Sequence, residues 1–260
     1  MTLTVTVLGG AAAWPNPGQG CSAYLVSSDE TRVLLDCGPN TLLELRKHAD
    51  FTTVSAIIVS HCHADHILDL IPYRYGLVYG PSELPRRIPV WLPPGGIERM
   101  MLFAQACGGQ GEDAADFWSN VFDFHEYCET DVIEIDELRV SFSPTQHFIP
   151  CFALRVEAAS GEGIGYSSDT GNIEPLIEGF RGVTTVIVEA TLLSHDDTPL
   201  LERGHLTPED AGELANRVGA RTLVLTHLWC ERPDHDVVTA ATTQFSREVV
   251  VAKPGLIVRG

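Results

Sequence analysis

His61, His63, Asp65 and His66 stand within six residues of one another, inside the segment "AIIVSHCHADHILDL" that runs from Ala56 to Leu70. Imidazole nitrogens and carboxylate oxygens are donors suited to zinc, manganese or iron. A donor set without thiolates fits a catalytic metal centre better than a structural zinc site, where cysteines predominate. Cys62 alternates with His61 and His63, so its side chain is expected to face the other way. An apolar strand leads directly into the four residues, which puts them in a strand-to-helix loop able to aim several side chains at one point.

Such a loop needs a rigid frame, and the sequence supplies one. Strand patterns occur at 3–8, 23–27, 32–36 and 56–60, with a helix-like stretch over 40–49. The second half offers a hairpin over 132–143 turning near Asp136, then strands at 151–157, 163–169, 183–190 and 221–227. The clearest helix starts at Thr207, with threonine as N-cap, Pro208 behind it and acidic residues in the first turn, and ends near Gly219. The two halves also echo each other. "RVLLDCG" followed by "AIIVSH" is matched by "GYSSDTG" followed by "TLVLTH". Two similar α/β halves with sheets face to face and helices outside would bring their strand-end loops together along one edge. No low-complexity segment divides them, so residues 1–260 are read as a single domain built of two similar halves.

Composition narrows the class. A chain of 260 residues, 44% hydrophobic and 20% charged, is long enough for a large core and globular in character. No stretch approaches the roughly 18 uninterrupted apolar residues of a membrane span. "MTLTVTVLGG" reads as a strand rather than a signal peptide, which points to the cytoplasm. The seven cysteines are scattered without a CxxC pair and are expected to be reduced and mostly buried. A formal charge of −18 repels polyanions and argues against extended phosphate-backbone binding. Local positive charge would have to come from bound metal or from Arg74, Arg86 and Arg87, which otherwise read as solvated surface side chains.

"HCHADH" resembles the His-x-His-x-Asp-His signature of the metallo-β-lactamase superfamily, and the resemblance covers essentially the whole chain. It implies an α/β fold, a four-layer αββα sandwich with a dinuclear metal site at the strand edge. It also implies three further metal ligands: His147 completing a first site with His61 and His63, Asp169 bridging both metals, and His227 joining Asp65 and His66 on the second. "VIVEATLLSH" and "GHLTPEDAGELA" resemble segments of the ribonuclease Z-like branch, which includes small cyclic phosphodiesterases. That likeness makes His205 the proton donor to the leaving oxygen and Glu189 its orienting partner, with Asp65 orienting the attacking water. The opening "LGGAAAWPNPGQGCSAYLV" resembles the branch's glycine-rich turn near the site, and Asp36 resembles its supporting Asp-x-Gly turn. His48, His125 and His195 are read as surface or structural residues, and His235 as part of a helix N-terminus.

One departure matters. The tRNA-processing members of the branch carry a long basic arm between the segments matching His147 and Asp169, and here only 21 residues intervene. The expectation is therefore a hydrolase with two divalent transition-metal ions, zinc first and manganese or iron as alternatives, acting as a phosphodiesterase on a small phosphodiester such as a cyclic nucleotide. A ribonuclease Z-like RNA 3′-end endonuclease, a lactone or thioester hydrolase, and a non-catalytic metal- or RNA-binding module are the rivals. The expected partners are the small substrate, with no extended nucleic acid and no membrane, and a homodimer is left open.

Overall fold

The runs Thr185–Glu189 and Thr222–Thr226 are buried at every position, so neither can be a surface strand; each must be covered on both faces. The computed structural model, which describes residues 2–29, 31–81, 86–108 and 113–260, shows how that is done. The first half contains β1 (Thr4–Ala11), β2 (Gly20–Cys21), β3 (Ala23–Ser28), β4 (Thr31–Leu35), α1 (Thr41–His48), β5 (Ala56–Ile58), α2 (Ala64–Ile67), α3 (Leu70–Tyr79), β6 (Ile88–Leu92), α4 (Gly96–Cys107), α5 (Ala114–Ser119) and β7 (Phe122–Glu126). The second contains β8 (Val132–Ile135), β9 (Leu138–Pro144), β10 (Phe152–Ala158), β11 (Gly163–Tyr166), α6 (Glu174–Gly179), β12 (Thr185–Glu189), α7 (Pro208–Val218), β13 (Thr222–Thr226), α8 (Asp234–Thr242), β14 (Glu248–Val251) and β15 (Ile257–Arg259).

One sheet has the order β15-β1-β3-β4-β5-β6-β7, with β2 beside β1, and the other β14-β13-β12-β11-β10-β9-β8. Each begins as an antiparallel meander and continues in parallel, from β4 onward in the first and from β11 onward in the second. Successive strand residues point to opposite faces, and the pattern is used that way. Ile58 faces inward with Leu35, Leu154 and Ile187, while Ile57 faces outward with Leu45, Tyr73 and Trp118. On the other side Val186, Val188 and Leu223 pack under Leu214, Val218 and Val237. Three apolar layers thus hold four layers of backbone, the expected αββα sandwich. Each fully buried Val, Leu or Ile contributes on the order of 1.5–3 kcal/mol to that packing.

The hairpin turns at Asp136, which takes a left-handed φ of 51°. Helix α7 begins as read: the Thr207 side chain accepts from Asp210 N–H, Asp210 Oδ2 accepts from Thr207 N–H at 2.8 Å, and Gly219 closes the helix at φ 79°. The sequence echo is real in architecture but shifted by one strand. By topology β4 corresponds to β11, β5 to β12 and β6 to β13, so the strand before His227 matches β6 rather than the strand before His61.

Of the three arginines read as surface side chains, Arg74 departs from that reading and the exposed Arg86 and Arg87 keep it. Arg74 is buried, its guanidinium 3.7 Å from the Phe117 ring centroid, so it is no solvated cation. Arg86 and Arg87 reach the Ser55 carbonyl and Asp123, at the strand ends opposite the donor loop. All seven cysteines are free, with Cys21, Cys37, Cys62 and Cys151 buried and Cys107, Cys128 and Cys230 exposed. Among the described residues no helix is long and apolar enough to cross a membrane.

Candidate metal centre

The loops that follow the strands converge at one edge of the sandwich. His61 and His63 follow β5, and Asp65 and His66 lie in α2; His147 follows β9, Asp169 follows β11, Glu189 ends β12, His205 precedes α7 and His227 follows β13. Three of these exits need left-handed backbone at a side chain other than glycine: Asp36 at φ 59°, Ser168 at 52° and His227 at 57°. That conformation costs energy, and such residues concentrate at sites where the chain must turn sharply to aim a group. Cys62 points away into the apolar layer beneath the helices, as its alternation requires.

Two donor groups form. His61 Nε2 and His147 Nε2 each lie 3.1 Å from His63 Nδ1, and Asp169 Oδ2 is 3.6 Å and 3.8 Å from the first two. Asp65 Oδ2 lies 3.2 Å from His227 Nε2 and 3.5 Å from His66 Nε2, while Asp169 reaches this group with Oδ1 at 3.5 Å from His66 and Oδ2 at 3.6 Å from His227. Donors placed tetrahedrally at 2.0–2.1 Å from one zinc ion sit roughly 3.3 Å apart. The separations have the size of two coordination shells sharing Asp169.

The outer nitrogens decide the tautomers. His66 Nδ1–H donates to Asp36 Oδ2 at 2.7 Å, His147 Nδ1–H to the Gly204 carbonyl at 2.9 Å, and His227 Nδ1–H to Thr191 Oγ1 at 2.7 Å. Asp36 also accepts from Ser60 N–H, Ser60 O–H and Tyr166 O–H, and Ser168 O–H donates to Ser60, which leaves His61 Nδ1–H to donate to both serine oxygens. Four imidazoles are therefore fixed with their Nε2 lone pairs turned inward. His66 Nε2 is buried without a hydrogen-bond partner. The inward Nε2 lone pairs of His61 and His147 both converge on His63 Nδ1 at 3.1 Å, where a proton on His63 or a cation must sit between them; with Asp169 beside them and His66 Nε2 left without a partner, the residues present fit divalent metal ions.

Electrostatics agree. Burial, reinforced by the neighbouring His66 charge, pushes His61 well below the ordinary imidazole range, and burial lowers His63 and His147. Burial opposes ionisation of Asp65 and Asp169, but His227 and His66 outweigh it and hold both carboxyls below their usual range. His66 is the exception: burial pulls it down, but Asp169 and Asp36 outweigh it and raise it well above the ordinary imidazole range, so metal binding there must displace a proton, whereas His61, His63 and His147 favour the neutral form that binds metal.

His205 forms a third group of potential donors with Asp169 and His227, but its Nδ1 is engaged by a different carboxylate. Its Nδ1 lies 3.1 Å from Glu189 Oε1 and 4.0 Å from Asp169 Oδ2, and the Glu189 carboxylate is fully buried. Burial pulls the imidazole down, yet Glu189 outweighs it and raises the pKa to about 9. Glu189 Oε2 accepts from Thr191 O–H at 2.8 Å, which joins His205 to His227 through one carboxylate and one hydroxyl. The amino-terminal loop does approach the site, where Ala13 N–H donates to Asp65 Oδ2 at 3.0 Å. A side chain at Gly9 would collide with the Cys21 carbonyl, which explains the close strand approach there. His48 and His125 pair with surface carboxylates, His195 contacts Asp210, and His235 lies exposed in the first turn of α8.

Sequence reasoning passed over Ser60, Ser168, Tyr166 and Thr191. All four sit inside the quoted motifs, and Ser60 and Thr191 act on residues close to them in sequence, His61 and Glu189. Tyr166 and Ser168 reach Asp36 and Ser60 from the opposite sheet, at sequence separations of 130 and 108, and leave no local signal.

Comparison with known proteins agrees with this geometry. A family model described as the beta-lactamase superfamily domain matches residues 31–228. The chain is 31% identical over 252 residues to the uncharacterized protein Rv1339 of Mycobacterium tuberculosis (strain ATCC 25618 / H37Rv), covering 96% of this chain and 89% of that one. It is 25% identical over 266 residues to the probable metallo-hydrolase YhfI of Bacillus subtilis (strain 168), covering 99% and 100%, and the crystal structure of YhfI matches with a TM-score of 0.85 over 100% of both chains. Ribonuclease Z of Methanopyrus kandleri is 25% identical over 293 residues, covering 99% and 98%. A diphosphatase from the PhnP family, 20% identical, shares the fold with a TM-score of 0.73 over 100% and 98% of the two chains. With the family model spanning most of its length and these relatives spanning nearly all of it, the chain belongs to the beta-lactamase superfamily, has the metallo-beta-lactamase fold and is a metal-dependent hydrolase.

Proposed function

We propose that the protein is a cytoplasmic phosphodiesterase acting on a small phosphodiester such as a cyclic nucleotide. The observation that carries this reading is His205, held at Nδ1 by buried Glu189 beside the two donor groups. An alkoxide leaves poorly without a proton, so a positioned imidazolium matters for a phosphodiester and little for a thioester. Seven free thiols suit a reducing compartment.

In this reading His61, His63, His147 and Asp169 hold one divalent ion, and Asp65, His66, His227 and Asp169 hold the other, zinc first and manganese or iron as alternatives. Bound metal supplies Lewis acidity toward a phosphoryl oxygen and lowers the pKa of water from 15.7 toward about 7. Asp65, braced by Ala13 N–H, orients the attacking water. Glu189 keeps the His205 ring cationic and aligned, and Nε2, the nitrogen not bound to Glu189, delivers the proton to the leaving oxygen.

A small substrate is supported by the segment between His147 and Asp169. Apart from residues 148–151 and 167–168 it consists of β10, four connecting residues and β11, with no inserted arm, and the net charge is −18. The relatives named ribonuclease Z and diphosphatase support a phosphoryl substrate in general. The test is a panel of cyclic nucleotides, bis-(p-nitrophenyl) phosphate, a lactone, a thioester and a precursor tRNA, run with zinc and with manganese. The diesters should turn over far faster than the rest. Correctly placed cleavage at the tRNA 3′ end would make the protein an RNA endonuclease, and preference for the lactone or thioester would make it an acyl hydrolase.

A further inference from the structure

Three side chains that the donor groups do not use stand immediately beside them. Trp14 follows Ala13, whose N–H holds Asp65; Trp229 lies two residues after His227; Leu193 lies two residues after Thr191. The two indoles stack with centroids 5.4 Å apart and planes 13° from parallel. Trp14 is nonetheless 51% exposed and Leu193 73% exposed, so Trp229 covers one face of the Trp14 ring and the other is open. Together they wall a recess of ≈ 550 Å³, within the range of small-molecule sites. Buried Trp229 Nε1 has no acceptor, an unusual state for an indole N–H. Glu231 and Asp236 stand at the rim. Arg232 turns its guanidinium to the Ala190 and Leu192 carbonyls, at 3.4 and 3.0 Å, and so ties the recess wall to the loop carrying Thr191.

We propose that this recess seats a nucleobase of the substrate while the phosphodiester lies over the donor groups. An open indole face favours a flat π-system over a sugar or an aliphatic chain, and stacking of a base on an aromatic side chain is worth about 5- to 150-fold in binding. Carboxylates at the rim favour bases with an exocyclic amine, such as adenine or cytosine, over uracil. The role in turnover rests on the phosphodiesterase reading above; the affinity of the recess for a base does not.

The experiment has two arms on the metal-loaded protein. Calorimetry compares AMP with ribose 5-phosphate, and kinetics compare a 3′,5′-cyclic nucleotide with the base-free cyclic ribose phosphate. AMP should bind at least about tenfold more tightly than ribose 5-phosphate. Trp14→Ala should erase that preference and lower the ratio of kcat/KM for base-bearing over base-free substrate by about tenfold, while Trp14→Phe restores most of both. Preference for AMP without any hydrolysis of cyclic nucleotides upholds the recess and sinks the reaction assigned above. Hydrolysis in which Trp14→Ala weakens AMP and ribose 5-phosphate alike leaves the reaction standing and overturns the recess.

Discussion

Asp36 Oδ2 and His66 Nδ1 lie 2.7 Å apart with both side chains fully buried, and the same oxygen accepts from Ser60 and Tyr166. One carboxylate therefore joins both sheets and fixes the tautomer of a donor histidine. Outer partners of this kind typically govern metal affinity by 10- to 100-fold. Asp36→Asn should lower metal affinity by about that factor, measured by competition with a coloured chelator. Unchanged affinity in a folded variant would reduce Asp36 to a packing role.

Asp169 faces both donor groups, with Oδ1 toward His66 and Oδ2 toward His61 and His227. Elemental analysis of the purified protein is expected to find close to two transition-metal ions per chain, and Asp169→Ala should lose both. A variant that keeps its full metal complement would show that the carboxylate bridges nothing.

His205 Nδ1 is closer to Glu189, at 3.1 Å, than to Asp169, at 4.0 Å, so His205→Ala should retain its metals while kcat falls by about 10²–10⁴ on a substrate with an alkoxide leaving group. The loss should shrink with p-nitrophenolate, which departs without a proton. Metal loss in the variant would make His205 a ligand, and an equal loss on both substrates would make it a phosphate-positioning residue.

The thiols divide by burial. Burial raises Cys21 and Cys62 to about 12, and it lifts Cys37 and Cys151 well above the ordinary thiol range. At pH 8 these four stay protonated and shielded, whereas Cys107, Cys128 and Cys230 are exposed. Alkylation of the native protein by iodoacetamide should label three cysteines, and denaturation should raise the count to seven. Early labelling of Cys37 would mean that the layer under α3 opens readily.

Of the proposed donors, the "HCHADH" cluster stands out by residue type and density alone, whereas His147, Asp169 and His227 are reached only through the family resemblance, each after a strand. Helix α7 was legible through Thr207, Pro208 and Gly219, whose cap chemistry is local. Strands β2, β6, β7, β14 and β15 were not read. β14 and β15 are short, β14 and β7 lie at sheet edges, and their half-exposed patterns give weak alternation. Arg74 was misread because nothing nearby in sequence announces Phe117, the ring that covers its guanidinium. The echo between the halves placed His227 opposite His61, and only the sheet order corrects it by one strand.

The pairing of β15 with β1 joins Thr4 to Arg259 across nearly the whole chain. The amino-terminal half thus borrows the edge strand of its sheet from the carboxyl-terminal end of the chain, and its own residues do not complete that sheet. A fragment that stops before Ile257 leaves one margin of β1 with unsatisfied backbone donors and acceptors, a ready template for a foreign strand. Shortening this chain by a few residues at that end should therefore be felt first as clumping of the protein during expression, well before any change in its chemistry.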